Sequence, residues 1–181
     1  MPTLETPRLI LRPPIQDDLD AFAAMQMEPE TMRFLGGRTD RDTSWRVLAG
    51  IAGSWGLLGF GLFSVIEKQS GQWVGRVGPW YPGGESCAWP GAEVGWGVRH
   101  GFAGKGYAYE AACASIDWVF NTLGWSEVIH CIEPHNARSS ALAVRLGSSK
   151  LRQARLPSPA HLDIDIYGQS REQWRARRAS A

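Results

Sequence analysis

The chain has 181 residues, of which 44% are hydrophobic and 20% charged, and its formal net charge is +1 at pH 7. This length allows one domain with a sizeable core, so we expect residues 1–181 to form a single domain. A charge this close to zero gives no support to nucleic acid or an anionic membrane surface as a partner. The composition is typical of a globular protein.

The cysteines and the N-terminus bear on the compartment. The three cysteines, Cys87, Cys113 and Cys131, form no CxxC pair. An odd count without a signal peptide favours a reducing compartment. The start of the chain has no basic segment followed by an apolar core, and no apolar run reaches the roughly 18 residues of a transmembrane helix. We therefore expect a cytoplasmic protein.

The first half of the chain predicts helices between a first strand and a hairpin. The elements in order are a strand at 8–12, a helix starting at Asp17 and Asp18, a short helix from Pro29 to Phe34, a helix from Asp40 to Ser54, and strands at 60–67 and 72–80. The turn Gln69-Ser70-Gly71 joins the last two strands. The apolar face expected on the helix from Asp40 consists of Trp45, Leu48, Ala49 and Ala52.

The second half predicts alternating strands and helices. The elements in order are a strand at 92–99, a helix at 107–123, a strand at 127–132, a helix from Asn136 or Ala137 to Leu146 ended by Gly147, strands at 151–156 and 162–167, and a last helix capped by Ser170. This order favours a mixed α/β (α+β) fold over a doubly wound one.

The loop Gly104-Lys105-Gly106 between a predicted strand and a predicted helix is the most informative stretch. Glycines at such a junction free several backbone N–H groups to point one way. The helix adds its own unpaired N–H groups and the positive end of its dipole. We therefore expect this loop to bind a phosphate or pyrophosphate.

Several common sites are excluded by spacing. The loop is not a Walker A sequence, because Lys105 is followed by Gly106 instead of Ser or Thr. It is not a dinucleotide fingerprint either, because Tyr109 stands where the third glycine belongs. The chain has no HExxH and no GxSxG sequence. The histidines show no metal-ligand spacing with the cysteines, so no metal is expected; they are His100, His130, His135 and His161.

Three segments together resemble the GNAT N-acetyltransferase superfamily. They are Glu93–Val98 running into Gly104–Ala111, Asn136-Ala137-Arg138-Ser139 with Leu146-Gly147, and Leu4–Arg12 with Gly75–Gly78. The third set resembles the branch that contains the ribosomal-protein N-terminal (Rim-type) acetyltransferases. The likeness runs from Leu4 to Trp174. The pyrophosphate motif of the family, Gln/Arg-x-x-Gly-x-Gly/Ala, falls on Ala103–Ala108, where Ala103 departs from it.

The resemblance implies a fold, a donor and a set of binding residues. The fold is a central, mostly antiparallel, splayed mixed sheet flanked by helices, and the acetyl donor is acetyl-CoA. The backbone of the strand before the loop would hold the pantetheine arm, the loop would hold the pyrophosphate, and Asn136 would hold the arm from the other side. The implied binding residues are Trp96, Val98, Arg99, Ala103, Gly104, Lys105, Gly106, Tyr107, Ala108, Asn136 and Ser139.

The resemblance also implies Glu93 as the general base, because some members place a catalytic glutamate on this strand. A structural Glu93 bonded to a neighbouring loop is an equal alternative. Asp163, Asp165 and His161 compete with it. They would share one face of a late strand, where two neighbouring carboxylates could raise a pKa into a useful range or could simply be solvated.

The general acid of many relatives is a tyrosine seven residues after the helix asparagine, and this chain has Ala143 there. The resemblance makes Ser139 the substitute, as a hydrogen-bond donor to the leaving sulfur. The alternative for Ser139 is a helix-start hydroxyl bonded to backbone. The backbone N–H of Val98 would stabilise the oxyanion.

The predicted function is acetyl transfer from acetyl-CoA to a primary amine, either a peptide N-terminus or a small amine. One alternative is a catalytically silent acyl-CoA-binding or regulatory domain, and another is a nucleotide-phosphate binder whose loop holds ATP. A homodimer is compatible with the resemblance. The acceptor cleft is expected to have aromatic walls, formed by Trp55, Trp80, Tyr81 and Trp89.

Overall fold

The computed structural model describes residues 1–82, 89–156 and 162–180. The strands are β1 (Leu4–Glu5), β2 (Leu9–Arg12), β3 (Phe63–Glu67), β4 (Trp73–Trp80), β5 (Glu93–Val98), β6 (Glu127–Ile132), β7 (Ser149–Arg155) and β8 (Asp163–Ser170). The helices are α1 (Leu19–Met27), α2 (Pro29–Met32), α3 (Arg41–Leu57), α4 (Tyr107–Trp118), α5 (Ala137–Arg145) and α6 (Arg171–Ala179). A π-helical turn at Val119–Leu123 follows α4 directly.

The strands form a mixed sheet in the order β1-β2-β3-β4-β5-β6-β8-β7. The antiparallel pairs are β1-β2, β2-β3, β3-β4, β6-β8 and β7-β8. Strands β5 and β6 run parallel, with Glu93 opposite Ile129. The expected mixed, mostly antiparallel fold is therefore confirmed. The chain forms two compact units, residues 1–80 with 95–115 and residues 81–94 with 116–181, so β5 contributes residues to both.

The core of the first unit lies where α1 and α3 pack against β4. Its buried members are Phe22, Met25, Leu48, Ile51, Leu62 and Trp73. Phe22 and Trp73 meet edge to face with their ring centres 5.9 Å apart. Helix α3 begins where sequence predicts, because the Asp40 carboxylate accepts a hydrogen bond from the Thr43 N–H at 2.7 Å.

The face that α3 buries differs from the predicted one. Leu48, Ile51 and Trp55 are buried, whereas the Trp45 residue is 55% exposed and Ala49 is exposed. At roughly 100° per residue, Trp45 lies about 90° from the centre of the buried stripe. The prediction failed because Ile51 and Trp55 were left out of the expected face.

Two glycines bring β4 and β5 into unusually close contact. A Cβ on Gly75 would lie 2.3 Å from the carbonyl oxygen of Gly97 and 2.9 Å from Cα of Val98. No side chain fits in that space. The first glycine of the segment Gly75–Gly78 thus has a structural reason, because it allows β5 to approach β4.

The second unit is built on β6, β8 and β7. A small apolar cluster is formed by Ile129, Ile164 and Ile166 on these strands and by Leu156, which directly follows β7. Helix α6 is tied to the unit by its single buried side chain, Trp174, whose indole N–H donates to Asp117 Oδ1 at 2.7 Å. Its start is fixed by Ser170 and Gln173, which cap each other reciprocally.

Candidate active site

The glycine loop lies in the first unit, between a short 3-10 turn at His100–Phe102 and the start of α4. Gly104 and Gly106 both have left-handed backbone, with φ of 77° and 82°. Only glycine adopts that conformation without strain, so both positions are conformationally required. Gly104 is exposed, and a Cβ built on it would meet no atom within 4 Å apart from its chain neighbours. This loop at the N-terminus of a 12-residue helix fits the pyrophosphate that sequence predicts there.

The strand before the loop contains Trp96, Val98 and, at its end, Arg99. Trp96 and Val98 are half-buried. The Arg99 N–H donates to the carbonyl of Val74 on β4 at 2.9 Å, and the Arg99 carbonyl accepts from Phe102 N–H at 2.9 Å. The backbone of Arg99 is therefore engaged inside the protein, and the predicted pantetheine contacts concern mainly the residues before it.

Glu28, which follows α1, is a residue that sequence reasoning missed. Its carboxylate accepts from the His100 N–H at 2.8 Å and lies 3.4 Å from Arg99 Nε. It therefore anchors the beginning of the glycine loop to the junction of α1 and α2. The glutamate is separated from its partners by more than 70 residues, so no local pattern identifies it.

A second group that sequence reasoning missed joins the segment Leu4–Arg12, here called the opening signature, to α4. Thr6 and Arg8, predicted only as parts of a family signature, both hydrogen-bond the carboxylate of Glu110. The sequence signal for this group is the signature itself. Its partner in α4 is visible only in the structure.

Asn136 and Ser139 lie in the second unit at the start of α5. Asn136 is the N-cap, and its Oδ1 accepts from the Ser139 N–H at 3.2 Å. The carbonyl oxygen of the asparagine side chain is thus used inside the protein, and its amide N–H₂ group is the part suited to a ligand. Ala143, which stands where relatives have the acidic tyrosine, is fully buried.

Glu93 is buried at the start of β5 in the second unit. Its Oε2 accepts from the backbone N–H of Cys131 at 2.8 Å, and its Oε1 accepts from the Trp89 indole N–H at 3.2 Å. The burial and the neighbouring Glu93 carboxylate together raise the pKa of the Cys131 thiol, so the thiol stays neutral. The Cys131 thiol hydrogen-bonds the same carboxylate, so Glu93 acts as a structural acceptor in this fold, and its role as the base stays a prediction.

Comparison with known proteins identifies the family. Residues 8–149 match the sequence profile of the acetyltransferase (GNAT) domain. The chain belongs to the GNAT acetyltransferase family. The suspected superfamily is thus confirmed, and with it the expectation of an enzyme that transfers acetyl groups. The family uses acetyl-CoA as its acetyl donor.

The relatives of this acetyltransferase extend over most of the chain. It is 29% identical over 152 residues to the N-acetyltransferase p20 of Bacillus licheniformis, covering 83% of this chain and 84% of the relative. The crystal structure of an acetyltransferase from Agrobacterium tumefaciens is 31% identical, covers 94% of this chain and 95% of its own, and superposes with a TM-score of 0.82.

A ribosomal-protein acetyltransferase is also among the structural neighbours. The ribosomal-protein-S5-alanine acetyltransferase of Vibrio fischeri superposes with a TM-score of 0.71. It covers 96% of this chain and 99% of its own. At 18% identity this likeness shows the fold alone. The activity in the name of the Vibrio fischeri protein, acetylation of a ribosomal protein, is that of the branch that the opening signature resembles.

The late carboxylates of the acetyltransferase do not behave as predicted. Asp165 is buried, and hydrogen bonds from Lys150 at 2.7 Å and from Gln153 at 3.1 Å lower its pKa. Asp163 is exposed and lies 3.4 Å from Arg155. The expectation that this pair raises a pKa is therefore wrong for Asp165, because cross-strand cations neutralise the carboxylates. His161 lies outside the described residues.

The prediction that Trp55 lines the acceptor cleft is also wrong. Trp55 is buried in α3, donates its indole N–H to the Leu62 carbonyl at 3.3 Å and packs against Phe63. Trp80 packs partly against the core of the first unit. Trp89 binds Glu93, so it is the member of the set with a direct link to a predicted catalytic residue.

The described residues contain neither a metal-binding cluster nor a membrane-spanning helix. Within residues 1–82, 89–156 and 162–180, no three His, Cys, Asp or Glu side chains come together in a way that could hold a metal ion. In those ranges, too, every helix is too short or too polar to cross a membrane.

Proposed function

We propose that this acetyltransferase moves an acetyl group from acetyl-CoA to a primary amine by direct transfer. The observation that carries the proposal is the glycine loop, whose two left-handed glycines precede the N-terminus of α4. Such a loop suits a pyrophosphate, because its amides and the helix dipole stabilise negative charge without a metal. Among the cofactors used for acetyl transfer, acetyl-CoA carries that group.

The donor would be held by three parts of the chain. The amides of residues 104–108 would bind the pyrophosphate, and the backbone of Trp96 to Val98 would bind the pantetheine arm. The side-chain amide of Asn136 would donate to the same arm. The occupied Oδ1 of Asn136 supports this assignment, because it fixes the amide plane and leaves the nitrogen for a ligand.

Transfer then requires a neutral amine, a stabilised oxyanion and a leaving thiolate that is stabilised by a hydrogen-bond donor. The amine lone pair attacks the thioester carbonyl, the carbonyl oxygen becomes negative, and collapse of this adduct breaks the C–S bond to give the amide and the CoA thiolate. Glu93 would accept the proton that the amine loses, directly or through a water. The Val98 N–H would stabilise the oxyanion, and the Ser139 hydroxyl would donate to the leaving sulfur.

The acceptor is proposed only as a class, a peptide N-terminus or a small amine. The branch that the opening signature resembles contains enzymes that acetylate peptide N-termini and also enzymes for antibiotics, amino acids and polyamines. This places peptide N-termini first in a substrate screen, with amino acids and polyamines following.

Release of free CoA thiol, measured with a panel of peptides, amino acids and small amines, tests the proposal. We expect turnover with at least one amine, and a fall in kcat of about 100-fold or more in Glu93→Gln. Asp163→Asn is the matched control, since it neutralises an exposed carboxylate that is predicted to compete as the base. Acetyl-CoA affinity and the melting temperature of Glu93→Gln separate lost chemistry from lost folding.

Two results would overturn parts of the proposal. Unchanged kcat in a folded Glu93→Gln protein would remove Glu93 as the base. If the protein binds acetyl-CoA but releases no thiol with any amine, the enzyme hypothesis is wrong and a catalytically silent acyl-CoA-binding domain is favoured.

A further inference from the structure

The N-terminal segment makes a dense set of contacts with the start of α4, all within the first unit. Thr6 Oγ1 donates to Glu110 Oε1 at 2.6 Å. The Arg8 backbone N–H donates to the same oxygen at 2.9 Å, and Arg8 Nε donates to Glu110 Oε2 at 2.6 Å. We call these three residues the Thr6–Arg8–Glu110 cluster. A carboxylate that accepts three donors is held in one orientation.

Arg8 also reaches the glycine loop itself. Its Nη1 donates to the carbonyl oxygen of Lys105 at 2.9 Å. Its guanidinium lies over the Tyr107 ring, 4.6 Å from the ring centre. Its Nη2 is 3.3 Å from the point where a Cβ of Gly106 would be. One side chain therefore contacts Lys105 of the loop and Tyr107, the first residue of α4, and lies beside Gly106 between them.

The bond to Lys105 has a consequence for the next amide. The Lys105 carbonyl and the Gly106 N–H belong to one planar trans peptide group, so they point in opposite directions. Since the carbonyl is held by Arg8, the Gly106 N–H is directed away from Arg8. Gly106 is left-handed, so this peptide plane would otherwise be free to rotate.

We propose that Arg8 is a positioning residue for donor binding: together with Glu110 it fixes the peptide planes of the glycine loop in the orientation that binds a pyrophosphate. The inference rests on the proposed use of acetyl-CoA. Arg8 acts through the loop, because two of its three nitrogens are already bound to Glu110 and Lys105.

Two roles of Arg8 can be distinguished by substitution: orienting the glycine loop, and attracting the phosphate by its positive charge. Arg8→Lys keeps the positive charge but loses the planar fork that reaches Glu110 and Lys105 together. If Arg8 attracted the phosphate only by its charge, lysine would replace it. If Arg8 orients the loop, lysine fails nearly as badly as Arg8→Gln.

The test compares two donors, acetyl-CoA and acetyl-pantetheine, which lacks the pyrophosphate. We expect Arg8→Lys, Arg8→Gln and Glu110→Gln each to raise the KM for acetyl-CoA about tenfold and to leave kcat and the KM for acetyl-pantetheine nearly unchanged. Arg41→Gln is the matched control, because Arg41 makes a similar ion pair with Asp20 at 2.6 Å in the same unit. Isothermal titration with CoA repeats the comparison without turnover.

Distinct results distinguish failure of the inference from failure of the proposed function. Equal losses with both donors, or full rescue by Arg8→Lys, would overturn the positioning role. If the Arg8 variants do not fold, Glu110→Gln and Thr6→Val provide the same comparison with smaller changes, and unaltered acetyl-CoA binding in both would also overturn it. A wild-type protein that binds no CoA would instead refute the proposed function.

Discussion

His130 is a fully buried histidine whose two ring nitrogens have different partners. Nδ1 lies 2.7 Å from the Val94 carbonyl oxygen, so it must carry the proton and donate. Nε2 then accepts from the Ser148 hydroxyl at 3.1 Å, and that hydroxyl oxygen accepts from Gln169 Nε2 at 3.0 Å. This chain of hydrogen bonds requires a neutral imidazole, because a second ring proton would face the Ser148 proton.

Acid is therefore predicted to destabilise the protein through His130. Burial lowers its pKa from 6.5 to about 4, against a smaller opposing effect of the Val94 carbonyl. The unfolded chain takes up a proton near pH 6.5 and the folded chain only near pH 4, so the unfolding free energy falls as pH drops through this window. His130 is expected to contribute a loss of about 2.5 kcal/mol in unfolding free energy between pH 7.5 and pH 4.5, measured by urea unfolding.

The matched variants are His130→Asn and His135→Gln. His130→Asn is expected to be less stable at pH 7.5 but to lose most of the pH dependence between 6.5 and 4. His135→Gln is the control, because it removes an exposed histidine instead of the buried one. An unaltered slope in a folded His130→Asn protein would contradict the assignment.

The start of helix α5 combines a structural role and a proposed binding role in one side chain. Asn136→Asp keeps an oxygen to accept from Ser139 N–H and removes the amide donor. We expect unchanged stability, because Asp caps helices as well as Asn, and a Kd for acetyl-CoA raised about tenfold. Thermal unfolding and titration calorimetry measure the two effects.

Asn136→Ala serves as the comparison, since it removes both the cap and the amide. It is expected to lose about 1 kcal/mol of stability in addition to the donor affinity. If Asn136→Asp binds acetyl-CoA as the wild type does, Asn136 is only a helix cap.

Elements with local signals could be predicted from sequence, and elements set by distant contacts could not. The bounds of β6 and the end of α5 at Gly147 follow from periodicity and from a glycine terminator. The two-residue strand β1 has no such pattern, because it exists only by pairing with β2. The buried face of α3 was wrong at Trp45, since tertiary packing selects among several apolar residues.

The residues of the candidate site also fall into those with a local sequence signal and those set by distant contacts. The glycine loop and Asn136 carry motifs, so they could be found from the chain alone. The Lys150 partner of Asp165 depends on the register of β7 against β8, and the partner of Arg8 lies 102 residues away. Residues that orient the loop therefore emerge only once the strands are paired.

For the whole molecule, donor binding is predicted to raise the melting temperature. A ligand that binds only the folded protein adds about 2.7 kcal/mol at 100 times its Kd. For a chain of this size that corresponds to a rise of roughly 5–10 °C. Differential scanning fluorimetry with acetyl-CoA, CoA and ATP measures it. An equal shift with ATP would favour the nucleotide-phosphate alternative, and no shift with acetyl-CoA would refute the donor.

The last strand in the sheet order, β7, has a consequence for colloidal behaviour. Among the strands of the described residues, β7 pairs with β8 alone, and it carries Lys150, Arg152 and Arg155. Lys150 and Arg155 form ion pairs with Asp165 and Asp163 of β8. An open strand edge can recruit a second chain, and charged side chains along the edge oppose that pairing, because a new strand would have to remove water from them. Replacing Arg152 by Thr is therefore expected to lower the protein concentration at which stocks become turbid.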